Sequence, residues 1–84
     1  MLTTHWVYIS EDANGFLYTN FTSEIDIILM KGHHVVYLRS FHSPFDALAH
    51  KHLVDHLSMT TVKAMIKREK RQTMIRLKMI LFQM

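Results

Sequence analysis

Hydrophobic and polar positions change period several times along the chain, and each change predicts an element. Trp6-Val7-Tyr8-Ile9 and Phe16-Leu17-Tyr18-Thr19 are short, aromatic and β-branched, with Glu11-Asp12-Ala13-Asn14-Gly15 between them. Asn-Gly preceded by Asp is a strong reversal signal, because both residues tolerate positive φ, so the pattern predicts an antiparallel hairpin. Thr22-Ser23-Glu24 then offers a helix cap, and Ile25, Ile28 and Leu29 recur at helical spacing until Lys31-Gly32 ends a short helix. His34 through Phe41 reads as a third strand, with Val35, Tyr37, Arg39 and Phe41 on one face and Val36 and Leu38 on the other.

Ser43-Pro44 supplies a cap and a first helical residue. Phe45, Leu48, Ala49, Leu53 and Leu57 follow at spacings of three and four, which predicts an amphipathic helix docked on the sheet by that stripe. Ser58 caps a further helix with Val62, Met65 and Ile66 on one side and basic residues on the other. Periodicity leaves 73–84 open: Ile75, Leu77, Met79 and Leu81 alternate like a strand, whereas Ile75, Met79 and Phe82 suit a continued helix. The expected architecture is therefore α+β, a three-stranded antiparallel sheet in the order β-β-α-β-α-α with helices packed on it.

Length fits this reading. Eighty-four residues make one domain, 1–84, and 49% hydrophobic residues with only 2 Gly and 1 Pro describe a globular chain rather than a linker or disordered tail. With no cysteine, a disulfide scaffold, a thiolate zinc finger and a cysteine nucleophile are excluded. No apolar run approaches the roughly 20 residues of a membrane span, and the first residues lack a basic start before an apolar core. The expectation is a cytoplasmic protein with no membrane partner.

Charge changes the picture more. Residues 1–62 carry three bases and six acids, net −3, while residues 63–84 carry seven bases and Glu69 alone, net +6. Lys63, Lys67 and Lys70 follow at spacings of four and three with Arg71 beside them, which on one continuous helix would align three ammonium groups for a phosphate backbone. The alternative reading of such a run is a solvated helix face. The apolar end 73–84 must pack on its own body or on a second copy, so a homodimer through these residues is a further expectation.

Seven histidines invite a metal reading, and His52 and His56 are four apart. His50 and Asp55 point elsewhere around the same helix and the rest lie on other elements, so no metal site is expected. No glycine-rich phosphate loop and no Gly-x-Ser-x-Gly turn occur.

The succession Trp6-Val7-Tyr8-Ile9, turn, Leu17-Tyr18-Thr19-Asn20, Thr22-Ser23-Glu24-Ile25 resembles the paired tyrosine motifs of the GIY-YIG nuclease superfamily, most closely its short single-domain bacterial branch. Val35-Val36-Tyr37 through Phe41, then Phe45-Asp46-Ala47-Leu48 and the Leu57-Ser58 break, is similar to that family's third strand and last two helices. The likeness covers about residues 5–70. It implies a domain that cuts DNA phosphodiesters with a tyrosine-rich face, an arginine on the phosphate and a glutamate holding a divalent metal. Carried over, the two motif tyrosines are Tyr8 and Tyr18, the closing glycine falls on Asn20, the arginine on Ile28 and the glutamate on Lys51. Isoleucine cannot donate to a phosphate and a lysine repels a cation. The resemblance thus implies a nuclease homologue that has lost its chemistry, with no cofactor, or with Mg²⁺ or Mn²⁺ only if cutting survives. It would bind DNA or another nucleic acid nonspecifically through Lys63, Lys67, Lys70 and Arg71. A structural or self-association module using 73–84, and an active metal-dependent endonuclease, are the competing readings.

Overall fold

A computed structural model describes residues 3–84. The elements run β1 (His5–Glu11), β2 (Leu17–Thr22), α1 (Ile25–Met30), β3 (Val35–Phe41), α2 (Pro44–Asp55), α3 (Met59–Arg68) and α4 (Lys70–Gln83). The three strands form one antiparallel sheet, as the sequence pattern predicts; its spatial order is β2-β1-β3, and the chain carries one more helix than expected.

The hairpin turn is built around Asp12, whose Oδ1 accepts from the N–H groups of Asn14 and Phe16, both at 2.9 Å. Gly15 takes φ +85°, while Asn14 stays at negative φ, so only one of the two turn residues uses the left-handed region. Ser43 caps α2 by accepting from the Phe45 N–H, with Pro44 as first helical residue, and Ser58 caps α3 by accepting from Thr61 N–H. The start of α1 differs from expectation: Thr22 Oγ1 accepts from Glu24 N–H at 2.9 Å, but no side chain caps the helix itself.

Helices cover both sheet faces. Ile9 and Tyr37 pack with Val54, Val62 and Met65 of α2 and α3, while Tyr8 and Leu38 pack with Ile25 of α1, supported by Leu77 and Ile80 of α4. Simple alternation fails in β3. Ile9 faces Tyr37 but Ser10 faces Val35, so Val36 is an extra residue, a bulge that turns Val35 to the Tyr8 face and leaves Val36 beside Tyr37.

Two further expectations are corrected. The predicted stripe on α2 is not its buried face: Ala47 and Val54 go inward, and Phe45, Leu48 and Leu53 remain exposed. A small inward alanine lets the helix lie close to the sheet, which turns the larger side chains out. Residues 73–83, whose period suits strand and helix alike, belong to α4, and Lys70 is separated from α3 by Glu69, whose φ of −101° and ψ of 12° break the helix. The three lysines are therefore not on one continuous helix.

Candidate functional site

The face that the motif tyrosines would share is divided among several environments. Tyr8 is only 5% exposed and lies in the core cluster with Ile25 and Leu38; burial pushes its phenol above the ordinary tyrosine value. Ile28 packs against that same cluster. Tyr18 is exposed, and its hydroxyl donates to Asp12 Oδ2 at 3.2 Å. Accepting the Phe16 and Asn14 N–H groups and the Tyr18 hydroxyl holds the Asp12 carboxyl below the usual carboxylate range, while that hydrogen bond and the nearby negative charge raise the Tyr18 phenol.

Tyr18 and Asn20 line a cleft of about 630 Å³ with Ser10, Asp12, Lys31, His33 and His34. His34 Nδ1 stands 3.8 Å from Glu11 Oε1. Lys31, His33 and His34 line the cleft without being singled out by the sequence pattern; Gly32, which takes φ +83° and turns the chain between them, is the sequence signal of that turn. Lys51 is not part of this cleft. It lies on α2, whose Val54 packs on the opposite sheet face from Tyr8, and its Nζ donates to Asp55 Oδ2 at 2.7 Å. The positions matching the family's site are thus not gathered: Tyr18 with Asn20 in the cleft, Tyr8 with Ile28 in the core, Lys51 in an ion pair elsewhere. Among the described residues no group of three or more His, Asp or Glu could hold a metal ion. His56 Nδ1 makes a 2.6 Å hydrogen bond with the His52 carbonyl oxygen, which turns that ring along its own helix.

A second cleft, of about 640 Å³, does gather predicted residues. Lys63 and Lys67 reach it from α3 and Lys70 from the start of α4, although Glu69 breaks the helix between them. Its other walls are Ile66, Met74 and Leu77 with Leu17, Val35 and Val36, and Glu11 is the one carboxylate on its lining. Three ammonium groups around an apolar floor form a local positive field in a segment of net charge +6. Arg71, also predicted, is exposed and does not line the cleft. Arg76 is otherwise engaged, donating to the Leu38 carbonyl, and Arg68 lies 3.7 Å from Glu69.

With this geometry in hand, comparison with known proteins adds one relative by structure. The chain is similar to the UPF0213 protein BH0048 of Bacillus halodurans, whose structure was solved in solution by NMR. The two agree with a TM-score of 0.63 and 25% identity, over 80% of this chain and 86% of the other. No protein-family model matches the chain, and no curated protein matches it either. No helix among the described residues is long and apolar enough to cross a membrane.

Proposed function

We propose that this chain is a GIY-YIG-like domain that has lost nuclease chemistry and binds nucleic acid, without sequence preference, through Lys63, Lys67 and Lys70. The convergence of those three lysines on one cleft carries the reading, because a kink that could have scattered them instead keeps them around a common space. The paired-tyrosine succession in the sequence and the likeness to a UPF0213 protein support the domain assignment.

Loss of cutting follows from the side chains at the motif positions. Ile28 offers no donor to a phosphate, and Lys51, at the position matched to the family's glutamate, is a cation paired with Asp55 that lies outside the cleft of Tyr18 and Asn20. Losing one donor to a developing oxyanion costs about 2.7–4 kcal/mol, and losing the metal ligand as well removes the group that would polarise the phosphoryl oxygen. Binding requires less. Lysine contacts to phosphates are sequence-independent and release counterions, so a lysine cleft without base-reading donors gives salt-sensitive, nonspecific affinity. The test is incubation of the protein with plasmid and short duplexes in Mg²⁺ and Mn²⁺, following retention and nicking together. Retention without nicking is expected; metal-dependent nicking would favour the endonuclease reading, and no retention at low salt would remove the binding reading.

A further inference from the structure

Phosphate contacts leave the floor of the lysine cleft unused. In that floor Leu17, Val36 and Ile66 pack against the core cluster on one sheet face, whereas Val35 and Leu77 go with the cluster on the other. The cleft therefore opens at the seam where the two cores meet. Successive strand residues ordinarily point to opposite faces, and the bulge in β3 brings both Val35 and Val36 to this seam. Met74 adds a flexible thioether that is 47% exposed, and no Phe, Tyr or Trp among the described residues lines the space.

We infer that this cleft binds the anion of an aliphatic carboxylic acid, a single acyl chain free in solution, with its methylenes on the apolar floor and its carboxylate among Lys63, Lys67 and Lys70. Three ammonium groups stand against one carboxylate on the lining, Glu11, which has His34 Nδ1 at 3.8 Å. None of the three lysines takes part in an ion pair among the described residues, so their charge is available to an incoming anion. A carboxylate head accepts charge-assisted hydrogen bonds from them. The lysine stems extend the apolar wall while their heads stay in water, so the cleft changes from apolar to charged as an acyl chain does. Its volume of about 640 Å³ is in the range of small-molecule sites.

Nucleic acid meets only part of this surface. A duplex backbone is polar throughout, so it satisfies the lysines and leaves the aliphatic floor uncovered. Unpaired bases stack on aromatic side chains, which the floor lacks. A bilayer is served by a protruding apolar face, whereas these apolar groups line a recess that one chain fills. The inference shares three lysines with the nucleic-acid reading and does not rest on it.

The test is calorimetric titration of the full chain with hexanoate, octanoate and decanoate, all below their micellar concentrations. One-to-one binding is expected, tightening about three- to fourfold for each added methylene, the factor that burial of one CH₂ implies. Octyltrimethylammonium, a chain of similar length with the opposite charge, is expected to bind about tenfold more weakly than octanoate or not at all. Lys63→Gln, Lys67→Gln and Lys70→Gln combined should weaken decanoate by about tenfold, and Met74→Asp, which sets a carboxylate in the floor, should abolish binding. All four positions are exposed, so the substitutions remove no core packing, and unchanged circular dichroism verifies it. No binding of decanoate, equal affinity for the three chain lengths, or a folded variant that binds as the parent does would overturn the inference. So would association with vesicles of phosphatidylcholine and phosphatidylglycerol without binding of decanoate. Duplex retention without decanoate binding would overturn this inference alone, and decanoate binding without duplex retention would support it and overturn only the nucleic-acid reading.

Discussion

Arg76 Nη1 donates to the carbonyl oxygen of Leu38 at 2.8 Å, joining α4 to the outer edge of β3. One turn earlier on the same helix face, Thr73 Oγ1 accepts from the Leu38 N–H at 3.3 Å. β3 is an edge strand, and an edge strand offers unpaired groups on which another chain can add. Both outward groups of Leu38 are thereby satisfied within the domain, by the segment whose conformation the sequence pattern left open.

Thr73→Val is therefore expected to destabilise the fold. It keeps the shape of the 3%-exposed side chain but leaves the Leu38 N–H without its acceptor, at a cost of about 1–3 kcal/mol. In a domain of this size the melting temperature should fall by roughly 4–8 °C for each kcal/mol. Thermal unfolding checks this, and an unchanged melting temperature would mean that the Thr73 hydroxyl adds nothing to the stability of that edge.

Tyr37 is fully buried, and its hydroxyl lies 2.8 Å from His50 Nε2. Burial, and then the nearby Arg39 charge, lower the His50 pKa, while Glu69 acts in the opposite direction. With the folded-state pKa depressed, the unfolded chain binds the proton more readily. The stabilisation is complete above the unfolded value of about 6.5 and is lost as pH falls through the folded value. Unfolding midpoints in urea should decline between neutral pH and about pH 5, and His50→Gln, which retains a hydrogen-bond partner without titrating, should flatten that decline.

The hairpin provides a local test. Gly15 at φ +85° has open space where a Cβ would stand, so Gly15→Ala meets no clash and is left with backbone strain alone, about 1–2 kcal/mol. Gly15→Asn should cost less, because asparagine tolerates the left-handed region. Equal losses for the two variants by chemical denaturation would show that strain is not the source.

These sites show what was legible in the sequence. Asp12 with Gly15, Ser43-Pro44 and Ser58 act over a few residues, and local turn and cap chemistry predicts them directly. The buried face of α2 does not follow from residue size: Phe45, Leu48 and Leu53 form the more obvious stripe, while the sheet selects Ala47 and Val54. The bulge at Val36 and the break at Glu69 carry no Gly or Pro, and the bulge arises only in the pairing of β3 with β1, distant in sequence. At the candidate site the basic residues were identifiable from their spacing, but their meeting in one cleft depends on the Glu69 kink and on β3, which spacing does not report.

Nuclease chemistry should be absent. With Ile28 in the core cluster and Lys51 paired to Asp55, purified protein should not nick plasmid above background in Mg²⁺ or Mn²⁺, and Lys51→Glu alone should not confer cutting, since Ile28 would remain. Sustained turnover abolished by Tyr8→Phe would contradict this.

The lysine cleft is tested most directly by the salt dependence of duplex binding, measured for the parent chain and for Lys63→Gln, Lys67→Gln and Lys70→Gln combined. About three or four phosphate contacts give a slope of log affinity against log salt near −3 for the parent. In the triple variant the slope should flatten and affinity fall on all sequences alike, while Val62, Met65 and Ile66 keep α3 packed and the melting curve stays unchanged. A folded triple variant that binds with the parent's slope, or a parent with no affinity at low salt, would contradict the account.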